Sequence, residues 1–162
     1  FPYTTLFRSI GKSFAWQVAE HNYDVYVLEL SSFQLDGIIN YKPHIAILTN
    51  ISPDHLDRYE YKYENYIASK FRITMNQTVS DYLIYDADDE ATQEWLKHNT
   101  TKAQLIPFSI SQTLDLGAFL KDNNMEVKMN QEEFSIGPMD HRNPDTRRPL
   151  APKEREHRAV PK

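Results

Sequence analysis

"HIAILTNISPDHLDRYEYKYENYIASK", residues 44–70, joins a near-continuous apolar run, a polar loop and a helical pattern. The run 44–51 follows Pro43 and reads as a strand. Its unbroken apolar character predicts burial on both faces, as in a parallel sheet. Residues 60–76 read as a helix. At 3.6 residues per turn, Tyr63, Tyr66, Ile67, Lys70 and Thr74 fall on one side, so Lys70 points with the apolar face. Strand, loop and helix in that order make a strand–helix repeat, and the rest of the chain extends it.

"FAWQVAEH" (14–21) has helical spacing, and "DVYVLELS" (24–31) is β-branched and aromatic-rich, as a strand requires. "DYLIY" (81–85) and "AQLIPF" (103–108) read as strands either side of a helix, "EATQEWLKH", that Asp88 or Asp89 can cap. Residues 114–136 read as short strands with turns at 121–124 and 130–132. The expectation is an α/β fold: a mostly parallel sheet flanked by helices, with a short antiparallel β segment near the C-terminal part. Ligands of such sheets bind at the carboxyl ends of strands.

The chain has 162 residues, of which 40% are hydrophobic, enough for one domain with a core. It contains no cysteine, which excludes disulfides, zinc–thiolate sites and thiol catalysis. No apolar run is long enough to cross a bilayer and no charged-then-apolar signal opens the chain, so a cytoplasmic protein without a membrane partner is expected. The net charge of −5 is unevenly spread: residues 139–162 hold seven Lys and Arg against four Asp and Glu, the remainder eleven against nineteen. An acidic body argues against nucleic acid as a partner. The basic stretch has four prolines, no aromatic residue and no periodicity, and cannot offset its ordering entropy. Three segments are therefore expected: a leader, 1–9, that reads as foreign sequence, a body, 10–138, and a tail, 139–162, that reads as foreign or disordered.

Three residues stand at strand ends or just beyond: Glu29, His55 and Lys70. Each has an ordinary explanation. Glu29 can face solvent, His55 can bond Asp54 or Asp57, and Lys70 can extend its ammonium to water. Together they offer oxygen and nitrogen donors of the kind that hold Mg²⁺ or Mn²⁺. A desolvated lysine amine can take up CO₂ as a carbamate, which would make it a carboxylate ligand. Two other motifs fare worse. Gly11-Lys12-Ser13 lacks the glycine five positions earlier that a phosphate loop needs, since that position is Leu6. "DADDE" (86–90) places acids at a helix N-terminus, where the helix dipole alone explains them.

"LELSSFQL" (28–35), "HIAILTNISPDHLDRY" (44–59) and "YIASKFRI" (66–73), in this order, resemble the central domain of the Mur ligases, from Ile10 to about Gly137. Phe33-Gln34 in the first motif points to the branch that accepts D-glutamate; the branch adding the third residue typically has histidine after the two serines. The resemblance implies an ATP-dependent amide-bond ligase of peptidoglycan synthesis. The carboxylate of UDP-N-acetylmuramoyl-L-alanine is phosphorylated by ATP, and the amine of D-glutamate attacks the acyl phosphate. It further implies two Mg²⁺ ions, with Glu29, His55 and carbamylated Lys70 as ligands and the last two serving catalysis. Ser31 and Gln34 match positions that line the nucleotide-sugar site. No residue matches the ATP phosphate loop, and the family's Gly-Asn-Ile-Gly turn appears as Arg8-Ser9-Ile10-Gly11.

The chain is accordingly expected to be a fragment of a ligase whose parent is a monomer, and to be inactive alone. Two alternatives stay open. One is another Mur or folylpolyglutamate-type ligase with a different acceptor; the other is a non-catalytic binding fragment.

Overall fold

The computed structural model describes residues 4–7, 14–129 and 132–137. Strand β1 (Thr4–Phe7) pairs in parallel with β2 (Val25–Leu28), and helix α1 (Phe14–Glu20) runs between them in sequence. Part of the segment read as a leader is thus hydrogen-bonded to β2. The tail expected at 139–162 lies outside the described residues.

After the short helix α2 (Ser32–Asp36) comes a six-stranded sheet. Its strands are β3 (Ile45–Leu48), β4 (Tyr82–Asp86), β5 (Gln104–Ser109), β6 (Gly117–Lys121), β7 (Asn124–Met129) and β8 (Glu132–Ile136), adjacent in that order. The pairs from β3 to β6 are parallel; β6–β7 and β7–β8 are antiparallel. The mixed sheet with an antiparallel C-terminal part is the architecture the sequence predicts. Asp122 and Asn123, both left-handed at φ 48° and 62°, form the two-residue link between β6 and β7, the conformation that matches the twist of a hairpin. Gly117, at φ 102°, opens β6 where a Cβ would collide with the Pro107 carbonyl of β5. Only glycine fits that crossing.

Helices α3 (Tyr63–Phe71) and α4 (Glu90–His98) carry the parallel crossovers. The expected helix over 60–76 is shorter: Leu56–Tyr59 and Arg72–Thr74 are 3₁₀ turns at either side of α3. Left-handed backbone at Glu60 and Tyr61, φ 57° at both, prevents the first turn from running into α3. Tyr66 and Phe71 join Ala46, Leu48 and Leu83 in the core, with the Phe71 and Trp95 rings stacked at 3.7 Å and 6°.

The prediction that β3 is buried on both faces is corrected. Ala46 and Leu48 are buried, whereas Ile45 and Ile47 are 53% and 55% exposed. The aromatic residues of α3 and α4 cover only the Ala46–Leu83 face, and no described residue seals Ile45 or Ile47.

At the far end of β3 and β4 from the loops that carry the candidate site, a charged latch closes the sheet. Asp81 accepts from Lys42 Nζ at 3.1 Å, from Thr78 N at 2.7 Å and from Thr78 Oγ1 at 2.8 Å, and lies 3.1 Å from His44 Nδ1. The Thr78 N–H, then His44, hold its carboxyl well below the usual aspartate range.

Candidate functional site

The site is built from three segments that follow β2 and β3 or lie on α3. The first begins at Ser31. Ser31 N donates to Gln34 Oε1 at 2.9 Å, and Gln34 N donates to Ser31 Oγ at 3.4 Å. This reciprocal pair is a capping box; it satisfies donors that a helix start leaves open. The two residues expected to line a substrate site therefore also hold the start of α2. Within this box Gln34 uses its carbonyl oxygen, so its amide nitrogen remains the end suited to donate to a ligand. Glu29 lies just before the box, one residue beyond β2, and is exposed.

The second segment is the loop after β3. His55 is left-handed at φ 48°, an uncommon conformation for a residue with a side chain. Its N–H donates to Asp54 Oδ1 at 2.8 Å, and its Nε2 lies 3.4 Å from Asp54 Oδ2. The neighbour that an ordinary loop histidine would use, Asp54, is thus in place. Packing adds a second constraint. The Phe33 ring of α2 lies 5.2 Å from the imidazole, 6.4 Å from the parallel Tyr59 ring and 4.5 Å below the Arg58 guanidinium.

The third segment is α3. Lys70 is half-buried, with Nζ 5.4 Å from the centre of the Tyr66 ring. It sits with the aromatic side of the helix, as the spacing predicts. Tyr63 donates its hydroxyl to the Ile51 carbonyl, tying α3 to the end of β3. Burial, then the Asp54 charge, pushes the Tyr66 hydroxyl up, so it stays protonated at neutral pH.

A cluster that sequence reasoning missed joins the three segments. Ser69 Oγ donates to Asp36 Oδ1 at 2.6 Å, and the Tyr59 hydroxyl donates to Asp36 Oδ2 at 2.9 Å. With one proton each, both hydroxyls satisfy the carboxylate together. Arg72 reinforces the junction, donating to the Leu35 and Ile38 carbonyls at 2.9 and 3.0 Å. A lone aspartate at the end of a five-residue helix carries no periodic signal. Only the sequence of Tyr59 and Ser69, polar groups among the apolar positions, hints at the cluster.

The acids at 86–90 separate into structural roles. Asp89 caps α4 by accepting from Thr92 N at 2.8 Å, while its other oxygen accepts from Ile51 N at 3.2 Å. Asp88 accepts from Ser109 Oγ at 2.7 Å, Ser111 Oγ at 2.6 Å and Ile110 N at 2.7 Å. Burial pushes the Asp88 carboxyl up, but the hydrogen bonds from Ser111, Ser109, Ile110 and Gln112 outweigh it and hold it at about 2.

Among the described residues, no three His, Asp or Glu side chains converge as a metal-holding group. His55 and Asp54 are a donor pair, and the ammonium of Lys70 is a cation that repels a second one. Converting that amine to a carbamate would replace the repulsion with two oxygen donors. With that carbamate, these side chains would offer oxygen donors and one imidazole nitrogen, the donor types that hold Mg²⁺ or Mn²⁺.

Residues 3–150 match the model of the Mur ligase middle domain, and the chain belongs to that family. A UDP-N-acetylmuramoylalanine–D-glutamate ligase of Christiangramia forsetii is 58% identical over 128 residues, covering 79% of this chain and 29% of that protein. The ligase of the same name in Bacteroides thetaiotaomicron is 44% identical over 134 residues, covering 79% of this chain and 30% of that one. The chain therefore spans less than a third of the length of these relatives. A solved UDP-N-acetylmuramoyl-L-alanyl-D-glutamate–2,6-diaminopimelate ligase superposes with a TM-score of 0.51 at 23% identity, over 69% of this chain and 25% of that one. That likeness concerns the fold alone.

Proposed function

We propose that this chain is the middle-domain part of an ATP-dependent ligase that joins D-glutamate to UDP-N-acetylmuramoyl-L-alanine in peptidoglycan synthesis. The observation that carries the reading is the junction of "LELSSFQL", the His55 loop and the Lys70 helix at one end of the fold, in a chain 58% identical to a D-glutamate ligase. In this reading Ser31 and Gln34 meet the nucleotide sugar, the amide of Gln34 as donor. Glu29, His55 and a carbamate on Lys70 hold Mg²⁺. The ions would supply neutralisation of the charge that gathers on phosphate and acyl oxygens. The chain's own contribution is placement. The Phe33–Asp54 clasp orients His55, and the Tyr66 ring flanks the Lys70 amine. Reaction proceeds by phosphorylation of the substrate carboxylate, which turns a poor leaving group into a good one, and attack by the D-glutamate amine. The parent is proposed to work as a monomer in the cytoplasm.

Titration of UDP-N-acetylmuramoyl-L-alanine into the ¹⁵N-labelled chain tests this reading. The expected result is amide shifts concentrated at residues 29–36 and 52–58. Shifts absent there, or produced equally by UDP-N-acetylglucosamine, would count against it.

A further inference from the structure

The Asp36 carboxylate touches both the segment that carries His55 and the helix that carries Lys70. It accepts from Tyr59, four positions after His55, and from Ser69, the neighbour of Lys70. Tyr59 and Ser69 are themselves buried, at 8% and 3% exposure. The two hydroxyls lie 3.2 Å apart, and Ser69 Oγ is also 3.2 Å from the Ser32 carbonyl of α2. Each of these distances fixes one segment against another. The 3₁₀ turn that ends in Tyr59 begins immediately after left-handed His55, so a shift of Tyr59 is passed to the His55 backbone through four residues of short helix. Ser69 and Lys70 share one turn of α3, so a roll of the helix that releases Ser69 also moves the Lys70 amine.

We propose that Asp36 is a positioning residue that sets His55 and Lys70 against each other for binding a divalent ion. This rests on the reading of those two residues as ion-holding. Partners that hydrogen-bond a ligand directly change metal affinity by about 10- to 100-fold when removed; Asp36 holds the neighbours of His55 and Lys70, so an effect of up to about 10-fold is expected. Asp36 is exposed and lies outside the core cluster, so its replacement removes no core side chain. A purely structural role would change the melting temperature alone. A positioning role changes ion affinity in the folded chain and is restored by a residue that keeps the carboxylate.

The test is Mn²⁺ binding by the full chain in bicarbonate buffer, followed by water-proton relaxation. Wild type is compared with His55→Ala, Asp36→Ala, Asp36→Glu and the isosteric pair Tyr59→Phe and Ser69→Ala, with circular dichroism at the assay temperature. The expected result is binding by wild type, its loss in His55→Ala, weakening of up to about 10-fold in folded Asp36→Ala, and recovery in Asp36→Glu. If Asp36→Ala does not fold, Tyr59→Phe with Ser69→Ala removes both bonds without removing volume and is expected to weaken binding similarly. No binding by wild type, or undiminished binding by His55→Ala, would overturn the ion-holding reading and this inference with it. Loss in His55→Ala with wild-type affinity in the folded Asp36 or Tyr59–Ser69 variants would overturn this inference alone.

Discussion

The ring of Phe33 lies 5.2 Å from the imidazole of His55, centroid to centroid, and so joins the "LELSSFQL" motif to the loop that carries the candidate ligand. The contact comes from two short local structures: the capping box that starts α2 and the left-handed turn at His55. Neither is imposed by the sheet.

This contact has a direct spectroscopic consequence. A proton held near an aromatic ring feels its ring current, so the His55 ring protons are expected to move in a Phe33→Leu variant while the other histidine signals stay in place. Unchanged His55 signals in ¹H–¹³C spectra would show that the two rings do not meet in solution.

The Phe71–Trp95 stack is where α3 and α4 share the core. Phe71→Ala removes a side chain that is 2% exposed and leaves a cavity, at an expected cost of about 3–5 kcal/mol. Urea unfolding monitored by circular dichroism measures it. A change below about 1 kcal/mol would mean that the helices do not depend on the stack.

Stability should fall in acid because of Asp81. Its carboxyl is held below the usual range in the folded chain, first by the Thr78 N–H and then by His44. The unfolded chain therefore binds a proton there before the folded chain does. The stabilisation is present above the ordinary aspartate value of about 4 and is lost as the pH falls from there toward the depressed native value. Asp81→Asn is expected to flatten this part of the urea-midpoint profile between about pH 5 and pH 2. A profile of unchanged slope would place the acid sensitivity elsewhere.

Gly117 tests the β5–β6 crossing. Gly117→Ala adds a Cβ at positive φ, directed at the Pro107 carbonyl, and should destabilise the chain by more than about 1 kcal/mol, where the same change at a compatible backbone stabilises by up to about that much. Thermal unfolding reads the change, and a neutral substitution would mean that β6 enters the sheet by another path.

The strand–helix order was legible because apolar periodicity is written residue by residue: β3, α3 and α4 fall within the predicted segments, and β4 and β5 each run one residue past theirs. Burial was less legible. The run 44–51 reads as apolar throughout, but whether Ile45 and Ile47 are covered depends on elements remote in sequence, and the described residues cover only the opposite face. The candidate site divides in the same way. His55 and Lys70 were singled out by motif and spacing, whereas Asp36 is tied to their segments only through Tyr59 and Ser69, residues 23 and 33 positions away. Such contacts form only once α2 and α3 pack.

The 162-residue chain alone is expected to release no phosphate from ATP in response to D-glutamate, since it spans 29% of the Christiangramia forsetii ligase length. Release above a boiled control, in a malachite green assay, would contradict that expectation.

The most direct measurement places residues 10–138 of this chain in the Christiangramia forsetii ligase, in exchange for its matched segment, and follows phosphate release with ATP and UDP-N-acetylmuramoyl-L-alanine. The expected result is D-glutamate-dependent turnover that disappears with His55→Ala. A folded chimera without such turnover, or one indifferent to His55→Ala, would contradict the assignment of this domain to the ligase reaction.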